Sequence, residues 1–240
     1  MGRAARGMRE FWDSAAKKNA AWYVDTTVSF DNPDMETFFA TGHKIVDTAL
    51  GGSPVPPTQH GLAVEIGSGL GRNCVALADH FGSVVGVDIA PEMIRQSREL
   101  VDNPRVSFEL CEGADLSSIA SGSTDFVLSF TVFQHIPEVG VIEAYLREAA
   151  RILRPGGVVA FQWNNQASER KWRLRRAVLA TLQGTGLRRE SHQRNAVQFL
   201  GTTVDLDRIK ATLDGAGMEL LKTDGVGTLF CWAWAVKRDS

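Results

Sequence analysis

The 240-residue chain is poor in cysteine, and its cysteines are badly placed for a structural role. Cys74, Cys111 and Cys231 are odd in number, widely spaced and form no C-x-x-C pair, which excludes a disulfide framework and argues against a zinc site; no metal is expected. No apolar run approaches the roughly 20 residues that span a bilayer. The N-terminus lacks the apolar core of a signal peptide, so no membrane partner is expected and the cytoplasm is the expected compartment. Charge of one sign is also missing: 26 Lys and Arg stand against 28 Asp and Glu, a formal charge of −2 with no global pull toward nucleic acid or membrane. What remains is a 44% hydrophobic chain, enough for one compact α/β domain over residues 1–240.

The chain is organised around LAVEIGSGLGR at residues 62–72. An apolar run of strand length carries Glu65, reaches glycines at alternate positions (Gly67, Gly69, Gly71) and passes into helix-forming residues from Arg72. This pattern predicts strand, tight turn and helix, with glycine where the backbone needs positive φ or close approach of a ligand. A phosphate-cradling loop would end in Lys followed by Ser or Thr, and none is present. A dinucleotide fingerprint would place its third glycine one residue later than Gly71, where Arg72 stands. Glu65 at the strand end would repel a pyrophosphate but suits a ligand carrying an ammonium or sulfonium.

Upstream, residues 8–23 and 35–50 carry bulky contacts at helical spacing, with residues 1–7 expected to be a frayed end or cloning remnant. Residues 51–61, with three prolines, read as a linker. Downstream, residues 73–81 predict a helix stopped by Gly82, and VVGVD at 84–88 a buried strand ending in Asp88. Asp88 lies seventeen residues after Gly71, so the two acid-ended strands meet at one edge of a parallel sheet, where a carboxylate accepts both hydroxyls of a ribose; the competing reading is a turn or capping Asp. Pro91 opens a helix with Met93, Ile94, Ser97, Leu100 and Val101 as its apolar stripe. Strands follow at 106–110, 123–130 and 158–163, the last two joined by an amphipathic helix over 139–153 and an RPGG turn. After a helix at 205–216 and a strand at 218–222, residues 228–237 alternate Phe230, Trp232, Trp234 and Val236 with Cys231, Ala233 and Ala235, the pattern of a strand buried on both faces.

VEIGSGLG and GVDIAPEMI, one helix and strand apart, together with the LRPGG turn, resemble class I S-adenosylmethionine (SAM) dependent methyltransferases. The likeness runs from about residue 62 to 163 and more loosely to the end. It implies an α/β fold with a doubly wound, seven-stranded, mostly parallel sheet and an antiparallel seventh strand inserted in it. N-terminal helices over residues 8–50 would cap a SAM-binding core at 62–163, followed by a substrate-covering insertion at 164–200 and C-terminal helix and strands at 201–240. It further implies that SAM, and its product S-adenosylhomocysteine (SAH), contact Glu65, Gly67, Ser68, Gly69, Gly71, Arg72, Asp88, Ile89, Met93, Phe130 and Gln134. By the same likeness Glu112 takes the adenine amino group and Gly113 a ring nitrogen beside Ala114, with Asp115 the competitor for the role of Glu112. Trp22 and Tyr23 either close over the cofactor or pack the core.

The chemistry needs an acceptor lone pair aligned with the methyl carbon, and no covalent residue. His135, placed by TVFQHIP at the ligand-facing end of the fourth strand, is the candidate general base, with a structural helix-start role as its alternative. That segment has no Asn or Asp followed by two prolines and no Cys, which argues against base nitrogens and base carbons as acceptors. No cluster of acids for metal-assisted catechol methylation can be assembled either. A nitrogen or oxygen of a small molecule is therefore favoured, and Arg170, Lys171, Arg173, Arg175, Arg176, Arg188, Arg189 and Arg194 hint at an anionic one. An RNA or protein acceptor docking on that basic insertion, a nicotinamide oxidoreductase and a catalytically silent SAM-binding protein are the alternatives. A monomer or homodimer is expected.

Overall fold

The structure, a computed structural model, describes residues 2–166 and 201–239. The basic segment expected to cover the substrate, with Arg170 through Arg194 and Trp172, lies outside the described residues.

Seven strands form one sheet: β1 (Leu62–Ile66), β2 (Ser83–Asp88), β3 (Val106–Leu110), β4 (Thr124–Ser129), β5 (Leu153–Trp163), β6 (Met218–Asp224) and β7 (Cys231–Lys237). Their order is β3-β2-β1-β4-β5-β7-β6, with β7 antiparallel to both neighbours and the other pairs parallel. This is the doubly wound sheet expected from the sequence. The order reverses at β1, so the carboxyl ends of β1, β2 and β4 open a crevice on one edge.

Around the sheet lie α1 (Arg3–Val24), α2 (Met35–Gly51), α3 (Arg72–Leu77), α4 (Pro91–Leu100), α5 (Val139–Ile152) and α6 (Leu206–Gly215). Alternation along the strands feeds two apolar layers. Val64, Ile66, Val127, Val159, Phe161 and Trp163 pack with α5 and α6, while Ala63, Phe126, Leu128, Val158, Ala160, Trp232 and Trp234 pack against α2 and α3. Each fully buried large side chain contributes about 1.5–3 kcal/mol. The parity of β1 sends Glu65 to the α3 side of the sheet.

The β7 alternation is realised with one change. Trp232 and Trp234 stack with centroids 5.5 Å apart, and Trp234 donates its indole N–H to Ala49 O at 2.7 Å. Phe230 precedes the strand and is 52% exposed, because the chain is still in the β6–β7 turn there. At the far edge of the sheet Asp125 accepts the amides of Gly61 and Leu62, both at 2.8 Å. Arg154 Nε lies 2.9 Å from its other oxygen, an ion pair too poorly angled for a hydrogen bond.

Other boundaries differ from the sequence reading for local reasons. Residues 3–7 are helical rather than frayed: α1 starts at Arg3, and Ala5 is buried against the loop after β3. α3 stops at Leu77 rather than Phe81 and tightens into single turns, so that Gly82 and Ser83 can donate to His60 O and Gly61 O. Leu100, assigned to the apolar stripe of α4, is 45% exposed, since the helix ends there and turns away. The RPGG turn belongs to β5, which already pairs with β4 at Leu153.

α1 is broken at Asn19, which has φ −169° and ψ 90°. The Asn19 side chain accepts the amide of Trp22 at 3.0 Å and donates to Phe30 O, capping a second short helical segment. The break carries residues 23–27 across the open edge of the sheet.

Candidate active site

The turn after β1 is fixed by its glycines. Gly67 has φ +74°, and a Cβ there would collide with Val132; its amide and that of Ser68 both donate to Val87 O, at 2.7 and 3.0 Å. Gly71 has φ +85° and caps α3, and a Cβ there would meet Phe108 at 2.5 Å. Gly71 therefore serves packing and lies outside the cavity lining, whereas Gly67, Ser68 and Gly69 line it.

Asp88 ties the two acid-ended strands together. It accepts the Gly69 amide on Oδ2 and the Ala90 amide on Oδ1, both at 2.9 Å. The turn-holding reading of this residue is what the hydrogen bonds show, and the carboxylate also lines the cavity, within reach of a ligand there. Burial pushes its pKa up, against the pull of the Ala90, Gly69 and Ile89 amides.

Glu65 is 1% exposed and forms the cavity floor. Asn73 Nδ2 donates to Oε1 at 2.7 Å, and the Cys74 thiol to Oε2 at 2.9 Å. Burial pushes the Glu65 pKa up to about 7, outweighing the hydrogen bonds from Cys74 and Asn73 and the field of Arg72. Arg72 is buried between the rings of Phe38 and Phe130, pairs with Asp25 and donates to Thr41 Oγ1 at 2.7 Å. Burial opposes the ionised form of Asp25, but hydrogen bonds from Thr27 and the Arg72 charge prevail and lower its pKa. Arg72 thus joins the cavity wall to the end of α1.

These groups open into one cavity of about 570 Å³, within the usual size of small-molecule and cofactor sites. Of the residues expected to hold the cofactor, Glu65, Gly67, Ser68, Gly69, Arg72, Asp88, Ile89, Met93, Phe130, Gln134 and Tyr23 line it, and His135 does too. Trp22 does not: its ring packs edge-on against Tyr23 and Phe30 at 5.0 and 5.3 Å. Glu112, Gly113 and Ala114 also lie outside the lining, and Glu112 is exposed. The first turns of α1 cover that loop. Arg9 donates to Ile89 O and Cys111 O at 3.1 and 2.9 Å, and Ala5 faces Gly113. The Asp115 side chain turns back onto the Ser117 amide at 2.9 Å, so it stays outside as well.

At the end of β4, Thr131 has φ +56°, rare for a β-branched residue and a mark of functional sites. A short 3₁₀ turn, Phe133–His135, follows. His135 meets the Trp12 ring at 5.5 Å, and its Nε2 lies 3.4 Å from Gln134 Nε2. Sequence reasoning missed Trp12, residues 24–27, Thr41, Ile45, Asn73, Tyr145, Leu229 and Phe230. The legible signal for part of this group was Asn19 ahead of the Asp25-Thr26-Thr27 turn.

Comparison with known proteins bears on this geometry. A family model described as "Methyltransferase domain" matches residues 64–161, the stretch that contains the glycine turn, Asp88 and His135. Residues 64–161 thus carry a methyltransferase domain of the class I SAM-dependent type. The chain is 30% identical over 129 residues to the trans-aconitate 2-methyltransferase of Methylobacterium radiotolerans, covering 53% of this chain and 47% of that protein. It is 38% identical over 103 residues to the arsenite methyltransferase of Halobacterium salinarum, covering 40% of this chain and 25% of that one. The chain thus spans less than half the length of these curated relatives. In fold it is similar to the magnesium protoporphyrin IX methyltransferase of Synechocystis with bound SAH, at TM-score 0.63, 17% identity, and 98% and 100% coverage of the two chains. A Haloferax volcanii methyltransferase complexed with its Trm112 activator also scores 0.63, at 19% identity over 95% of this chain and 99% of that one.

The family's cofactor fits the residues present. Ser68 Oγ, Asn73 Oδ1, Gln134 Oε1 and Arg72 Nε are buried at the cavity without hydrogen-bond partners, the signature of a site built for a polar ligand. The carboxylates of Glu65 and Asp88 suit a cationic amino acid moiety and a ribose diol.

Proposed function

We propose that the protein transfers the methyl group of SAM to an oxygen or nitrogen of a small-molecule acceptor. The observation that carries this reading is that Glu65, residues 67–69 and Asp88 share one cavity with Gln134 and His135. When bound, SAM supplies an activated methyl on a sulfonium. The chain's part is to hold the cofactor's amino acid end at Glu65 and the glycine turn and its ribose at Asp88. It must also exclude water with Trp12, Tyr23 and residues 24–27, and take the acceptor's proton at His135. Gln134 orients a ligand through its amide, which cannot act as a base.

Relatives named for trans-aconitate and arsenite support a small acceptor. The expectation of an anionic acceptor rests on the Arg-rich segment; among the described lining residues the permanent cation is Arg72, whose charge Asp25 takes up. The test incubates the protein with methyl-labelled SAM and separated small-molecule, RNA and protein fractions. Label in a small-molecule fraction is the expected result, and label confined to RNA or protein overturns the proposal.

A further inference from the structure

Besides the glycine turn, the β6–β7 turn contributes to the cavity wall. There Leu229 is half-buried and Phe230 projects with 52% of its surface exposed, both lining the cavity. A single exposed aromatic residue is ordinary. An exposed aromatic residue on a backbone held this firmly, at the mouth of a ligand cavity, is not.

Asn165 does the holding. Its backbone amide donates to Thr228 O, its Oδ1 accepts the Gly227 amide, and its Nδ2 donates to Val204 O, all at 2.9 Å. Inside the turn, Thr228 Oγ1 donates to Gly225 O at 2.6 Å and accepts the Phe230 amide at 3.2 Å. Phe130, on the same cavity, is backed by Trp232 at 5.6 Å, which stacks on Trp234. Two apolar surfaces are therefore fixed before any ligand arrives, which lowers the ordering cost of binding a flat apolar body. The cavity also holds the side-chain amide oxygen Oε1 of Gln134, a residue 6% exposed, with no hydrogen-bond partner. It calls for a ligand that donates a hydrogen bond. Beside it lies His135, so the donating group sits where a proton can be taken.

We propose that the acceptor is a flat, apolar-bodied molecule bearing a hydroxyl or amino group, seated against Leu229, Phe230 and Phe130 with that group toward Gln134, and that Asn165 is the positioning residue for this wall. The inference rests on the methyltransferase reading above and narrows its acceptor.

The test loads the full chain with SAH and titrates it with 2-naphthol and, separately, with citrate as an anionic acceptor shape lacking a ring. Saturable binding of 2-naphthol and none of citrate is expected. Phe230→Ala, at an exposed position, should weaken 2-naphthol at least tenfold and leave SAH affinity as in the wild type. Asn165→Ala should do the same, and Asn165→Asp, which keeps an oxygen for the Gly227 amide, should recover part of the loss. A merely structural role for Asn165 would instead lower SAH and 2-naphthol binding together. Citrate binding without 2-naphthol, or unchanged 2-naphthol affinity in Phe230→Ala, overturns the acceptor assignment while SAH binding keeps the cofactor reading intact. A wild-type protein that binds no SAH overturns both.

Discussion

The amide of Gly69 donates to Asp88 Oδ2 at 2.9 Å, so the carboxylate at the end of β2 shapes the turn that follows β1. The Ala90 amide, on the other oxygen, extends the same clamp to the start of α4. Removing this carboxylate disturbs two loops and the proposed ribose contact at once. Asp88→Ala should weaken SAH binding by about 1–3 kcal/mol, the usual loss when hydrogen bonds to a charged group disappear. It should also lower the melting temperature. Calorimetry and thermal melts check both; a lower melting temperature with unchanged affinity would reduce Asp88 to a structural clamp.

Glu65 gives a pH dependence with a defined sign. Its carboxyl sits at about 7 in the folded protein against an ordinary value of 4.5, so the native state holds a proton that the unfolded chain has released. Its contribution to stability is complete below 4.5 and is lost as pH rises through about 7. A cationic ligand favours the ionised form, so SAM affinity should rise from pH 5 and level off above about 7. Glu65→Gln should flatten that profile; an unchanged slope in this variant would assign the titration to another group.

Asn19 tests whether the bend in α1 builds the cover. Asn19→Ala removes the cap on the Trp22 amide, at a cost of about 1 kcal/mol. It should also weaken SAH, because Tyr23, Val24 and Asp25 would no longer be held over the glycine turn. Denaturant melts and calorimetry read the two effects. Loss of stability with full SAH affinity would mean that the cover tolerates a straight helix.

How much of this was legible in the sequence depended on the range of the interaction. The glycine turn, Asp88 and the Trp232/Trp234 alternation are local patterns whose residue types follow from backbone geometry or strand parity, and the structure gives them the predicted strand, turn and strand-end positions, although Gly71 packs on Phe108 instead of lining the cavity. The Asn19 break was missed because an Asn inside a helical pattern is only mildly unfavourable, and its partner, Phe30 O, lies across a loop. Thr41, Ile45, Leu229 and Phe230 reach the cavity from distant parts of the chain, and no periodicity announces such a meeting. The loop after β3 was misjudged for a similar reason: Ala5 and Arg9, from a terminus expected to fray or only to begin a helix, occupy the space above it.

His135 is read as the proton acceptor. His135→Ala should lower turnover about a hundredfold or more while leaving SAH affinity nearly intact, since base catalysis is typically worth 10²–10⁴. Steady-state rates with the labelled acceptor, set beside calorimetry, make the comparison. Equal losses in turnover and SAH binding would place His135 in the structure of the turn, where it meets Trp12.

The central claim is that the acid-floored glycine turn holds a sulfonium cofactor and its product, not a nicotinamide. The most direct measurement is a pair of calorimetric titrations of the wild-type chain at pH 8, one with SAH and one with NADH. The account predicts saturable SAH binding in the micromolar range and no heat with NADH, because the Glu65 carboxylate opposes a pyrophosphate at the glycine turn. NADH binding with none for SAH would contradict it.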